Sequence, residues 1–175
     1  VLKALAALPD HCKLLVVGAN AAARDHLYKT PECAGLTDRV IMLPETSDVA
    51  PYFLAADIYV HPTLNDSFGM APLEAMSYDL PVVLSPAPWC GFAQYVEAGS
   101  EALVLSHPEA HEELAAAVAS IASDAELAER LRAGGGRVVA RHSWQEVARQ
   151  YERLYQECLV EKAPAREVSE VVSEA

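Results

Sequence analysis

Short apolar runs punctuate the first two-thirds of the chain. KLLVV (13–17), RVIML (39–43), DIYVH (57–61), PVVLS (81–85) and ALVLS (102–106) are rich in Val, Ile and Leu, with little alternation. A strand open to water on one face alternates; a near-continuous run is buried on both faces, as in a parallel sheet covered by helices. Between the runs lie helix-length stretches, at about 20–30, 47–56, 69–78 and 91–98. This alternation predicts an α/β fold with a Rossmann-like, doubly wound parallel sheet. Ligands of such sheets sit beyond the carboxyl ends of the strands. Gly18, Pro44, His61-Pro62 and Pro86-Ala87 therefore mark the loops to inspect.

After residue 106 the pattern changes to helices. SHPEAHEELAAAVASIA predicts a helix starting at Pro108, a residue suited to the first helical position, with Glu109, Glu112 and Glu113 at the positive end of the dipole. DAELAERLRAGGG predicts a second helix stopped by its glycines. SWQEVARQYERLYQECLVEK predicts a third, with Ser143 as N-cap and Glu146 completing a capping box. One domain is expected over 1–160, and a disordered tail over 161–175. VLKALAALPD reads as the closing turns of a helix with no strand before it, so the first strand of the sheet is expected to be missing and the chain to be a piece of something longer.

Composition narrows the partners. At 175 residues, 52% hydrophobic and 22% charged, the chain is long enough for one domain with a sizeable core. Thirteen basic residues against 25 acidic give a net charge of −12, which argues against a phosphate-tracking groove for nucleic acid and against steering onto an anionic membrane. No apolar run approaches the ~20 residues of a transmembrane helix. Cys12, Cys33, Cys90 and Cys158 are scattered, so reduced thiols and a cytoplasmic location are expected.

The chemistry concentrates in HPTLNDSFGMAPLEAMSYDLPVVLS (61–85). Asp66 falls in the loop after a strand, and Glu74 about a turn into the next helix, with Pro72 tolerated in its first turn. The free amides near 68–70 at that helix start form a ready anion site, and Gly69 leaves room for a ligand. Two carboxylates beside an anion site conflict unless they face hydroxyls. A carboxylate can accept both protons of a vicinal diol, and a nucleotide sugar offers two diols flanking a diphosphate. The plain alternative is an acid serving as N-cap and a solvated Glu in the second turn.

The same stretch resembles the signature of the retaining, nucleotide-sugar-dependent glycosyltransferases of the GT-B fold (group 1, family 4 type). That signature is an acid, a Gly-Phe-Gly-like turn, Glu-Ala-Met, another turn and Pro-Val-Val; Asp66 and Glu74 keep its acid-x7-acid spacing. ALPDHCKLLVVG, DRVIMLPETSDVAPYFLAADIYVHP and SWQEVARQYERLYQ extend the likeness over about residues 1–160. WCGFAQYVEAG (89–99) is similar to a loop of lipopolysaccharide-core glucosyltransferases.

The resemblance implies the donor-binding, C-terminal half of a GT-B enzyme, transferring a hexose from a nucleoside diphosphate sugar to a hydroxyl with retained configuration. UDP-sugar is the first expectation, with GDP- and ADP-sugars as alternatives, and no metal or other cofactor is required. Carried onto this chain, Asp66 faces the donor sugar as the catalytic-site acid and Glu74 binds the ribose hydroxyls. The backbone of Phe68, Gly69 and Met70 meets sugar and diphosphate, Gly18 sits near the phosphates, and Met42, Leu43 and Pro44 line the base pocket. His61, Trp89, Gly91 and Phe92 are further ligand-side candidates: His61 is an acid–base group or a structural residue, and Trp89 and Phe92 either stack on sugar or plug the sheet edge. Asp66 is one methylene shorter than the usual Glu, Ser77-Tyr78-Asp79 replaces a small residue and Gly, and Glu101-Ala102 replaces a common Gly. The family's Arg and Lys for the leaving diphosphate, and its acceptor-binding N-terminal domain, fall before Val1. The chain alone is therefore expected to be inactive, with the missing half in a longer chain or a partner, and the whole enzyme cytoplasmic or membrane-peripheral. A non-catalytic nucleotide-sugar-binding or interaction module is the alternative from a different class, and an epimerase or a glycogen-type transferase of similar fold is a third.

Other chemistry is thin. His107 and His111 have a metal-compatible spacing but read better as a solvated helix start. AGGGR (133–137) follows a helix and lacks the ending of a phosphate loop. Cys90 has no His near it in sequence to activate it.

Overall fold

The computed structural model describes residues 1–161. Of the tail expected over 161–175, Glu161 closes the last helix and 162–175 lie outside the described residues. All five apolar runs become strands: β1 (Leu14–Val17), β2 (Val40–Leu43), β3 (Tyr59–His61), β4 (Val82–Leu84) and β5 (Leu103–Val104). Helix α1 (Leu2–Ala7) precedes β1, α2 (Ala21–Tyr28) and a 3₁₀ turn (Pro31–Cys33) join β1 to β2, and α3 (Ala50–Ala55) joins β2 to β3. Helix α4 (Met70–Ser77) joins β3 to β4, and a 3₁₀ turn (Gly91–Tyr95) precedes β5. Helices α5 (His111–Ser123), α6 (Ala125–Arg141) and α7 (Trp144–Glu161) follow.

Every strand pairing is parallel, but the ladder is in two pieces. β1 pairs with β2, Leu14 opposite Val40 to Val17 opposite Leu43. The second sheet runs β3-β4-β5, with Tyr59 opposite Val82 and Val83 opposite Leu103. Among the described residues β1 and β3 thus have one strand partner each. Helices cover both faces of β4, as its alternation shows. Val82 and Leu84 point to a core built with Ala75, Met76, Phe92 and Val138, while Val83 points to one built with Ala4, Leu105, Leu114 and Leu131. A third core under β1 and β2 holds Leu5, Cys33, Leu36, Val40 and Met42. Helix α1 reaches two cores with adjacent residues, Ala4 and Leu5. Its end is fastened by buried Arg39, which donates to the carbonyls of Leu5 (2.9 Å), Leu8 (3.1 Å), Pro9 (2.9 Å) and Cys12 (3.1 Å).

Three expected boundaries are corrected. The stretch 91–98 is a short 3₁₀ turn, not an α-helix. Helix α5 starts at His111, with Pro108 buried ahead of it. Helix α6, capped by the Asp124 side chain accepting from the Leu127 amide (3.0 Å), runs straight through Gly134, Gly135 and Gly136. A Cβ at Gly134 would lie 2.0 Å from the Ser100 carbonyl oxygen, and one at Gly135 would lie 3.1 Å from Met76 Cγ. The two glycines thus give up helix propensity, about 1 kcal/mol each, to let α6 approach a loop backbone and α4. The N-cap expected at Ser143 is present: its hydroxyl accepts from the Glu146 amide at 3.3 Å.

The chain divides into two compact units, Val1–Val139 and Ala140–Ala175. The described part of the second unit holds the last residues of α6 and then α7, whose Trp144, Tyr151, Leu154, Tyr155 and Leu159 are exposed. Among the described residues, no helix is long and apolar enough to cross a membrane.

Candidate functional site

The candidate site lies where β3 hands over to α4. His61 is the last residue of β3, and its carbonyl accepts from the amides of Thr63 (2.9 Å) and Ser85 (3.1 Å). The Ser85 hydroxyl donates to the Thr63 carbonyl at 2.8 Å, so the loop is tied down to the end of β4. Asp66 is held through its backbone by the neighbouring loop. Its amide donates to the Trp89 carbonyl (2.8 Å), and its carbonyl accepts from the Gly91 amide (3.0 Å). A Cβ on Gly91 would lie 1.9 Å from the Ser67 carbonyl oxygen, so only glycine permits this clasp.

Helix α4 then starts from Gly69, which is buried and left-handed at φ 89°; no side chain caps its amides. Pro72 contributes no N–H, so Met70 and Ala71 carry the free amides of the first turn. No acidic residue lies in that turn, which leaves its partial positive charge uncompensated from within the helix. A Cβ on Gly69 would lie 3.6 Å from Asp66 Oδ2, 3.4 Å from Cys90 Sγ and 3.1 Å from Phe92 Cβ.

The acids are arranged around this start. His61 Nε2 lies 2.9 Å from Asp66 Oδ2, both side chains largely shielded from water. The Tyr59 hydroxyl lies 3.4 Å from His61 Nδ1, and the two rings stack at 6.1 Å. Burial, reinforced by the charges of Glu74 and Asp66, pushes the Tyr59 hydroxyl up to about 12. Tyr59 therefore keeps its hydroxyl proton. Glu74 itself is exposed.

A second cluster forms at the ends of β1 and β2. The amides of Gly18 (3.2 Å) and Ala19 (3.1 Å) both donate to the Leu43 carbonyl. Gly18 has φ 91° and open space above it. Strand alternation turns the Met42 side chain into the core with Leu5 and Cys33, leaving Leu43 and Pro44 facing outward.

The ligand-side loop is also sorted. Phe92 is fully buried and meets Phe68 edge-on at 5.6 Å, so it plugs the core and cannot stack on a sugar. Gly91 is likewise buried and serves the clasp. Trp89 is part-buried, with its ring edge-on to His107 at 4.8 Å. His107 Nδ1 accepts from the Glu109 amide (3.2 Å). Cys90 is fully buried, and burial pushes its thiol up, the opposite of an activated nucleophile. Glu101 is buried and accepts from the Glu97 amide (2.9 Å), with Arg137 3.9 Å away. Tyr59 is a site residue that motif reading passed over; its i, i+2 spacing to His61 on a strand was the available signal.

Comparison with known proteins gives this geometry a family. The model of the family "Glycosyl transferases group 1" matches residues 1–138. The chain belongs to that family. Among curated proteins, this group 1 glycosyltransferase domain is 33% identical over 127 residues to the lipopolysaccharide core biosynthesis mannosyltransferase LpcC of Rhizobium leguminosarum bv. viciae, covering 69% of this chain and 35% of LpcC. It is 29% identical over 117 residues to the lipopolysaccharide glucosyltransferase WaaG of Escherichia coli (strain K12), covering 65% of this chain and 30% of WaaG. The chain thus spans about a third of the length of these relatives. Among solved structures, Anabaena Alr3699/HepE in complex with UDP superposes with a TM-score of 0.78 at 22% identity, over 89% of this chain and 44% of HepE. The same protein in complex with UDP-glucose gives a TM-score of 0.76 at 22% identity, again over 89% and 44%. The group 1 domain therefore has the Rossmann-like fold of a GT-B C-terminal half.

Proposed function

We propose that this domain binds the nucleoside diphosphate sugar for a retaining hexosyl transfer to a hydroxyl acceptor. The observation that carries the reading is the uncapped start of α4 at left-handed Gly69, flanked by Asp66 and Glu74. The free amides and dipole receive a diphosphate oxygen, Glu74 takes the ribose diol, and Asp66 takes the sugar hydroxyls. Gly18 lies toward the phosphates, and Leu43 and Pro44 border the base. The UDP and UDP-glucose complexes of HepE support a uridine nucleotide as the first ligand to test. The acceptor site and the cations for the leaving diphosphate come from the other half of a two-domain enzyme, so the domain binds donor but does not turn it over alone. The reaction runs without a metal, and the enzyme works on the cytoplasmic side, at or near the membrane surface.

The test is titration of the chain with UDP, UDP-glucose and GDP by calorimetry or ligand-observed NMR. Binding of UDP and UDP-glucose, weakened by Glu74→Ala, is the expected result. Binding that Glu74→Ala leaves unchanged removes the ribose role, and hexosyl transfer by the chain alone removes the half-site reading.

A further inference from the structure

We infer that His61 is a positioning residue for the donor sugar: a relay from the Tyr59 hydroxyl through the His61 ring fixes the Asp66 carboxylate against the sugar hydroxyls. The inference rests on the donor-site reading above and adds to it a residue, a partner and a tautomer.

The hydrogen-bond roles follow from chemistry. A neutral imidazole donates from one nitrogen and accepts at the other. A carboxylate oxygen accepts, so the ring nitrogen 2.9 Å from Asp66 Oδ2 carries the proton, and Nε2–H donates to Asp66. That leaves Nδ1 to accept from the Tyr59 hydroxyl (3.4 Å). The carboxylate on one side and the phenol on the other thereby hold one tautomer, as an outer ligand does for a metal-bound histidine.

The consequence for Asp66 is near-complete immobilisation. Its amide is bonded to Trp89, its carbonyl to Gly91, and one carboxylate oxygen to His61. Among the described residues Oδ1 has no hydrogen-bond partner, so it is the oxygen left for a ligand. A carboxylate poised for two hydroxyls must hold its plane, and a side chain with a free χ2 does not. His61 supplies that restraint from a strand end whose carbonyl is itself fixed by Thr63 and Ser85. Glu74 on α4, Asp66 and Cys90 are the titratable groups acting on Tyr59, and none of them is placed to compete for Nδ1.

Two measurements test this. First, long-range proton–nitrogen NMR of the 175-residue chain, at a pH well above the ordinary imidazole range, should show His61 as the Nε2–H tautomer. Its signals are assigned by their loss in His61→Gln. An Nδ1–H ring, or a ring protonated at both nitrogens, overturns the relay. Second, the affinities for UDP and UDP-glucose are compared. His61→Leu should weaken UDP-glucose roughly ten-fold and leave UDP within about two-fold, because only the sugar meets Asp66. His61→Gln, which keeps a donor, should recover most of the loss, and Tyr59→Phe should lose roughly three-fold for UDP-glucose alone. Tyr59→Phe carries the test if His61→Leu does not fold. Equal losses for both ligands make His61 merely structural and overturn the inference. If the unaltered chain binds neither ligand, the donor-site reading fails and the sugar role of His61 falls with it, while the tautomer still decides the relay.

Discussion

The ends of β1 and β2 and the end of β3 carry the two clusters of candidate ligand residues, yet the two regions are held very differently. β4, which backs the Asp66 cluster, is completely buried, and the Asp66 loop is clasped on one side by Trp89 and Gly91 and on the other by Ser85. All four residues of β1 stay partly exposed, and Ile41 of β2 is exposed. A two-stranded sheet is marginal on its own, and here α1, clamped by Arg39, does much of the holding. The difference teaches where geometry has to be exact. On the proposed function, distinguishing sugar hydroxyls needs a carboxylate held to a fraction of an ångström, whereas a base placed on Leu43 and Pro44 asks mainly for a flat apolar border.

The contrast can be broken most severely at Gly91. Gly91→Val drives a side chain into the Ser67 carbonyl and should cost more than about 3 kcal/mol in chemical denaturation, with donor binding lost. Next comes a paired comparison of cores. Leu84→Ala, at a fully buried site, should cost about 2–5 kcal/mol. Leu15→Ala, at a partly exposed one, should cost less than about half as much; equal costs would erase the distinction between the halves. Glu74→Ala should reduce UDP affinity roughly ten-fold without moving the melting temperature, because Glu74 is exposed. The smallest effect is a gain: Asp79 is held at φ 62°, so Asp79→Gly should stabilise the Asp66 half by about 0.5–1 kcal/mol in the same denaturation assay.

That last residue shows how far a sequence can be read. Ser77-Tyr78-Asp79 departs from the small-residue-and-Gly turn of the resemblance, and the structure answers with a left-handed Asp79 and Tyr78 stacked on Phe53 at 5.2 Å. The strands were legible because burial on both faces demands unbroken apolar runs. Asp66, Glu74 and Gly69 were legible because a helix start after a strand fixes their positions within a turn. The glycines of α6 were misread because propensity is local, whereas the need for a bare backbone opposite Ser100 is set by a contact about thirty residues away in sequence. The direction of the Met42 side chain, and the choice between the two readings of Phe92, were not legible for a related reason. Position at a strand end or in a loop places a residue near the ligand face, but the direction of its side chain follows from strand alternation and the packing of neighbouring loops.

The division of the sheet has a consequence for how the protein behaves in a tube. β1 and β2 in one sheet, and β3 and β5 in the other, each leave one ladder edge without a strand partner among the described residues, and all four carry β-branched or aromatic side chains. Such an edge is a template for any extended segment that can pair with it. A net charge of −12 keeps molecules apart at long range, but charge is screened within about a Debye length while an open ladder acts on contact. Ladder edges therefore add a short-range route to association that charge alone does not describe, and added salt should drive this protein toward strand-mediated self-association sooner than its acidity alone implies.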